Sequence, residues 1–218
     1  MPAIAQSAKE QIVAAAERLF ARHGIEGVSL RQIGAAAGNA NNSAVQYHFG
    51  SKDQLIQAIF EHRLPRLLER RALLIAERRP DDLRAWMECQ LRVIMEQSEL
   101  PGSHYLSFIA MLQQYGRHEV FARLPAEFHD ATRGYVEQLS GFLPHIVEPL
   151  RTHRLAQATM FVVHYAADRE RARANNRNVL PFAVAVAELL DGIVGFLTAP
   201  VSAAALDALD GYQVTGSS

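Results

Sequence analysis

SLRQIGAAAGNANNSAVQYHF (residues 29–49) contains two short helices joined by a tight turn. Ser29-Leu30-Arg31-Gln32 has the Ser-x-x-Gln form of a capping box, in which the serine and the third helical residue satisfy each other's free backbone N–H groups. Val28 before the cap and Ile33 at the fourth helical position suit a hydrophobic staple across the helix entry. Gly38 ends this helix after two turns. The next helix fits Asn42 to Phe49. Val45 and Phe49, four apart, can face inward and leave Asn42, Ser43, Gln46 and Tyr47 outward. Amides, a hydroxyl and an aromatic ring are poor core material. They are good readers of base edges, since Asn and Gln can pair bidentately with adenine. The layout is that of a helix-turn-helix unit.

The same signals continue on both sides. Upstream, Ser7-Ala8-Lys9-Glu10 is a capping box, Ile12, Ala16, Leu19 and Phe20 form one apolar stripe, and Gly24 closes the helix. Downstream, Ser51-Lys52-Asp53-Gln54 opens a helix predicted to run to about Arg79, with Pro65 expected to kink or split it. Ser29, Arg31, Lys52 and the N-termini of these helices are candidate phosphate contacts, which position without reading sequence. Beyond Pro80 the pattern predicts helices over 81–98, 103–115, 125–143, 148–173 and 178–199, broken at Pro101-Gly102, Pro125, Pro144 and Asn175-Asn176. The expectation is an all-α chain of about nine helices. A helix-turn-helix domain occupies 1–52, a larger helical domain 53–210, and a disordered tail 211–218.

Composition bounds the partners. Net charge is −1, which excludes a polycationic coat for nucleic acid. Residues 1–79 nevertheless carry eleven Lys/Arg against seven Asp/Glu, a local excess of four positive charges where a polyanion contact is sought. A single cysteine, Cys89, excludes a disulfide framework and a multi-cysteine zinc site, and is expected to be a buried small hydrophobe. The histidines lack metal-ligand spacing, so no metal or cofactor is expected. There is no Gly-x-Ser-x-Gly and no Gly-rich phosphate loop, so an enzyme is not expected. No apolar run follows a basic start, and the Phe182–Leu197 stretch is interrupted by Glu188 and Asp191. A cytoplasmic protein without a membrane span is the expectation.

Ser29 to Gly38, followed by Tyr47-His48-Phe49-Gly50-Ser51-Lys52-Asp53-Gln54-Leu55, resembles the TetR-type transcriptional regulators. The motif likeness covers about residues 7–60. The resemblance implies a homodimer on a palindromic operator in double-stranded DNA, released when a small-molecule effector binds the C-terminal domain. It implies phosphate contacts at Ser29 and Lys52 and a Tyr47-His48 pair against the DNA backbone. Base contacts then fall on Asn42, Ser43 and Gln46. Nine residues separate Gly38 from His48, one more than the commoner eight. The extra residue is placed in the turn near Asn39 to Asn41, which leaves open whether Asn41 or Asn42 reaches a base.

Pairing and sensing then fall to the C-terminal region. Phe182, Val186, Leu189, Leu190, Ile193, Val194 and Leu197 give the last predicted helix a broad apolar face. Leu155, Thr159, Val162 and Val163 do the same for its predecessor. They suit a dimer interface, where the resembled family forms a four-helix bundle, and they suit internal core equally. Bulky side chains between 83 and 165 suit an apolar effector pocket: Trp86, Met87, Tyr105, Phe108, Met111, Phe128 and Tyr135, with His164 among the polar anchors. His104, His129 and Gln113 are further anchors. The alternative is a helical dimer that binds a small molecule or a protein and has little DNA role.

Overall fold

The computed structural model describes residues 7–38 and 43–215. The first helix, α1 (Ala8–His23), starts at the expected capping box. Ser7 Oγ accepts from Glu10 N–H at 3.2 Å, and the Glu10 carboxylate accepts from Ser7 N–H at 2.8 Å. Ile12, Ala16 and Phe20 are buried along its inner stripe. Helix α2 (Leu30–Ala36) repeats the box, with Ser29 N–H donating to Gln32 Oε1 at 2.7 Å. Helix α3 (Ser43–Phe49) crosses α2 closely. A Cβ on Gly34 would stand 3.1 Å from Val45 Cγ2, so glycine permits the approach.

Helix α4 (Lys52–Arg78) is not split at Pro65. Proline removes the N–H that Glu61 O would have accepted, but both residues are exposed and water can serve that carbonyl. The Ser51 box is half formed: Ser51 Oγ accepts from Gln54 N–H at 3.2 Å without the reciprocal bond. The remaining helices are α5 (Leu83–Gln97), α6 (Tyr105–Gln114), α7 (His118–Ala122), α8 (Ala126–Gly141), α9 (Leu150–Ala174), α10 (Phe182–Thr198) and α11 (Ala203–Thr215). The described residues thus hold eleven helices and no strand. The two beyond the expected nine are the single turn α7 and α11. The latter carries helix as far as Thr215, through the start of the segment expected to be disordered from Gly211.

Helix α6 is the pivot. It packs on α1 and on α9, while α5 packs on α4, α9 and α10. Phe20 of α1, Phe60 of α4 and Phe108 of α6 are fully buried. Phe108 lies 6.3 Å from Phe20 and 5.9 Å from Phe60 between ring centroids. Burial of three such rings at one point welds α1 to the body of the molecule. Beside them runs a buried polar network. Arg63 donates to both Glu17 oxygens at 2.8 and 2.7 Å, and Glu17 also accepts His104 N–H at 3.0 Å. Glu170 of α9 accepts Leu106 N–H at 3.3 Å, Ser107 N–H at 2.9 Å and Ser103 Oγ–H at 3.1 Å.

Cys89 is buried beside Leu74 and Val93, and burial raises its thiol pKa. Among the described residues no single helix is long and apolar enough to cross a membrane. One pair bent by 55°, Phe182–Thr198 with Ala203–Asp210, passes by length and composition together.

Candidate nucleic-acid interface and ligand cavity

Helix α3 divides its side chains as its spacing predicts. Val45 and Phe49 are buried, whereas Gln46, Tyr47 and His48 are exposed. Tyr47 is 85% exposed, an extreme value for a large aromatic residue, and meets His48 edge-on at 5.2 Å. Asn41 and Asn42 lie outside the described residues. Ser43 opens the helix.

Several expected DNA contacts also have work within the chain. Ser29 is exposed, but its hydroxyl donates to Gln32 Oε1 at 2.8 Å as part of the cap. Lys52 donates to Ile25 O at 2.8 Å and lies 3.8 Å from Glu26, so it braces the connection between α1 and α2 against the start of α4. An ammonium has three donors, which leaves it able to meet a phosphate as well. Gln46 Nε2 donates to Gly50 O at 3.1 Å, fastening the end of α3 to a glycine at φ +68°. Arg31 is exposed on the first turn of α2.

A cavity of about 260 Å³ lies among α4, α5, α6, α8 and α9. Its walls are mostly apolar. Leu64 and Leu68 come from α4, Val93 and Ile94 from α5, Leu106 and Ile109 from α6. Tyr105 and Phe128 line it as expected. A second chamber of about 170 Å³ is lined by Met87 and Tyr135 and shares Gln90, Ile94 and Thr159 with the first. Of the other expected effector residues, Trp86 lines neither chamber and stacks on Tyr135 at 6.0 Å. Phe108 fills core between Phe20 and Phe60. Met111 faces a depression by His23 and Gly24, and His164 is exposed with Nδ1 3.0 Å from Met160 O of its own helix. Those four are therefore not pocket side chains, because helix packing turns them away from the cavity. His104 sits at the α1–α6 contact through its backbone, and Gln113 lines the cavity with a buried Oε1 that lacks a hydrogen-bond partner.

Residues 12–59 match the family described as bacterial regulatory proteins, tetR family. The chain carries a TetR-type helix-turn-helix domain. Over 75 residues, 33% of this chain and 39% of the relative, it is 40% identical to the HTH-type transcriptional repressor Rv3405c of Mycobacterium tuberculosis. Over 63 residues, 29% of this chain and 33% of the relative, it is 33% identical to the HTH-type transcriptional repressor AcnR of Corynebacterium efficiens. The chain thus spans about two fifths or less of the length of these curated relatives. Likeness of fold extends further. The fatty acid degradation regulator FadR from Bacillus halodurans superposes with a TM-score of 0.57 at 14% identity, covering 88% of this chain and 97% of that one. The ketosteroid transcriptional regulator KstR2 of Mycobacterium tuberculosis gives 0.56 at 14% identity, covering 85% and 96%.

The TetR-type domain is followed by a surface that the sequence reading located on the right helices and the wrong side chains. Leu155, Val162, Val163, Val186, Leu189, Leu190, Ile193 and Leu197 are buried inside the chain's own core, and Phe182 and Val194 are half-buried against it. Only Thr159 of that set is exposed. The apolar side chains that α9 and α10 present outward are Met160, Phe161, Val184 and Phe196. Phe161 and Phe196 rim a groove floored by Gly192. The cavity also holds Arg71, Gln90 and Gln97, which the sequence reading missed. Among the described residues no group of three His, Cys, Asp or Glu side chains gathers to hold a metal ion.

Proposed function

We propose that this protein is a homodimeric transcriptional repressor of the cytoplasm that binds a palindromic operator and leaves it when a small molecule enters the cavity. The observation that carries this reading is the outer face of α3, where Gln46, Tyr47 and His48 are exposed above a buried Val45 and Phe49. Two such helices must sit about 34–36 Å apart to enter successive major grooves on one side of a duplex. A two-fold partner on α9 and α10 would supply that spacing, with Phe161, Val184 and Phe196 covered at the contact.

The mechanism follows from the shared elements. Leu106 and Ile109 of α6 and Leu64 of α4 line the cavity. The same two helices hold α1 through the phenylalanine cluster and the Arg63–Glu17 pair. A ligand that fits better when α6 and α4 are shifted moves α1, and with it the separation of the two α3 helices. Release requires that differential affinity.

The test is fluorescence anisotropy with a palindrome from the DNA upstream of the gene. Tight, sequence-dependent binding is expected, lost in Tyr47→Ala and Gln46→Ala. Sequence-independent binding alone, or none, rejects the reading. Phe161→Glu is expected to yield monomers by sedimentation and to weaken operator binding by placing like charges across the two-fold contact.

A further inference from the structure

Arg71 stands where α4 calls for an apolar side chain. Phe60, Leu64, Leu67, Arg71 and Leu74 follow at alternating spacings of four and three, the repeat of an inward helix stripe. Phe60, Leu64 and Leu74 are buried. Arg71 takes the fourth place and lines the cavity, the one charged side chain among the described residues that do so.

A guanidinium drawn inward is costly unless a negative group meets it. This chain observes that rule elsewhere. Arg63 meets Glu17, Arg70 meets Glu96, Arg92 meets Glu88 and Arg169 meets Glu99, all within 3.0 Å. Arg154 instead reaches the Leu197 and Ala199 carbonyls at the end of α10, where the helix dipole is negative. Arg71 has neither arrangement. Its contacts are Gln90 Oε1 at 3.4 Å, Ala131 O at 3.1 Å and the Tyr135 ring at 5.2 Å, all uncharged. Ala131 lies within α8, away from its negative end.

We propose that the cavity takes a small apolar carboxylic acid, its carboxylate paired with Arg71 and its hydrocarbon body against Leu64, Leu68, Val93 and Ile109. One guanidinium and no second cation match a monoanion better than a phosphate ester. The guanidinium fork offers a carboxylate two parallel hydrogen bonds. The assignment rests on the cavity being the effector site, and it names the class of effector.

The test is isothermal titration calorimetry on the full chain at neutral pH with two matched pairs. These are 4-phenylbutyrate against 4-phenylbutan-1-ol, and octanoate against octan-1-ol. The wild type is expected to prefer each acid about tenfold or more. Arg71→Met brings acid and alcohol to parity without weakening the alcohol, and Arg71→Lys keeps most of the preference. Thr159→Trp, which fills the passage between the two chambers from an exposed position, weakens all four compounds. Parity in the wild type, a preference that survives Arg71→Met, or no binding of any compound overturns the carboxylate assignment. If parity is found but Thr159→Trp still abolishes binding, the cavity stands as the ligand site and only the charge assignment falls. Binding that is indifferent to Thr159→Trp rejects the cavity itself.

Discussion

Arg63→Met removes the cation from a buried pair and leaves the hydrocarbon stem. In the folded chain the Arg63 side chain is 18% exposed and Glu17 only 4%. Both Glu17 oxygens accept from the guanidinium, at 2.8 and 2.7 Å, and only the His104 N–H at 3.0 Å remains once it is gone. Breaking one side of a buried ion pair costs about 3–5 kcal/mol, because the surviving charge stays desolvated and unmatched. For a chain of this size each kcal/mol lowers Tm by roughly 2–4 °C, so a drop of roughly 6–20 °C is expected. Urea unfolding followed by far-ultraviolet circular dichroism, at fixed protomer concentration, gives the free energy directly. The double variant Glu17→Gln/Arg63→Met removes the orphaned charge and keeps an acceptor for His104. It should recover about 2 kcal/mol or more of the loss. A single variant within about 1 kcal/mol of the wild type, typical of an exposed pair, refutes the reasoning. So does a double variant no more stable than the single one.

Three further outcomes follow from the same structure. Arg31→Ala should weaken binding to all duplex sequences alike and flatten the slope of log affinity against log salt by about 0.9, the value for one phosphate contact; an unchanged slope removes Arg31 from the interface. Gly34→Leu drives a side chain into Val45 and should cost about 1–3 kcal/mol by the same urea assay, while operator binding falls as α3 is displaced; an unperturbed variant would show that the crossing is not tight. Burial, followed by the charges of Arg63 and Arg66, holds the His62 pKa below its ordinary value, and burial followed by Arg22 does the same for His104. The unfolded chain therefore takes up these protons first as pH falls. Stability present above the unfolded value of about 6.5 is lost below it. The decline in Tm from pH 7 to pH 5 should be shallower in His62→Gln/His104→Gln than in the wild type.

What was legible in the sequence was whatever is decided locally. Ser7 and Ser29 announce their helices because capping bonds span only three residues, and Val45 and Phe49 announce a buried face because four residues make about one turn. Helix α7 is a single turn with no side-chain cap at Arg117 and gives no such signal. Burial against a particular neighbour is not local. Helix α10 is apolar nearly all round, so Leu190 and Ile193, which pack inward, read the same as Val184 and Phe196, which do not. Arg70 and Arg71 are adjacent, yet one bonds Glu96 while the other enters the cavity; only the four-three stripe through Leu64 and Leu74 separates them.

The start of α6 shows why ligand and DNA sites so far apart in sequence can act together on the proposed reading. The first free N–H groups of a helix need acceptors, and a buried helix start cannot take them from water. Here His104 N–H goes to Glu17 of α1, Tyr105 N–H to Ser103 Oγ, and Leu106 and Ser107 N–H to Glu170 of α9. Burial pushes the Glu170 pKa up and its hydrogen bonds oppose that, so the carboxylate depends on α6 for its partners as much as α6 depends on it. Sliding α6 past α1 and α9 would strand two desolvated carboxylates and three N–H groups. Hydrogen bonds to charged groups are worth about 1.5–3 kcal/mol each, more than the 1–3 kcal/mol typical of an allosteric coupling free energy in total. A ligand pressing on Leu106 or Ile109 therefore meets less resistance by carrying α1 along with α6 than by parting them.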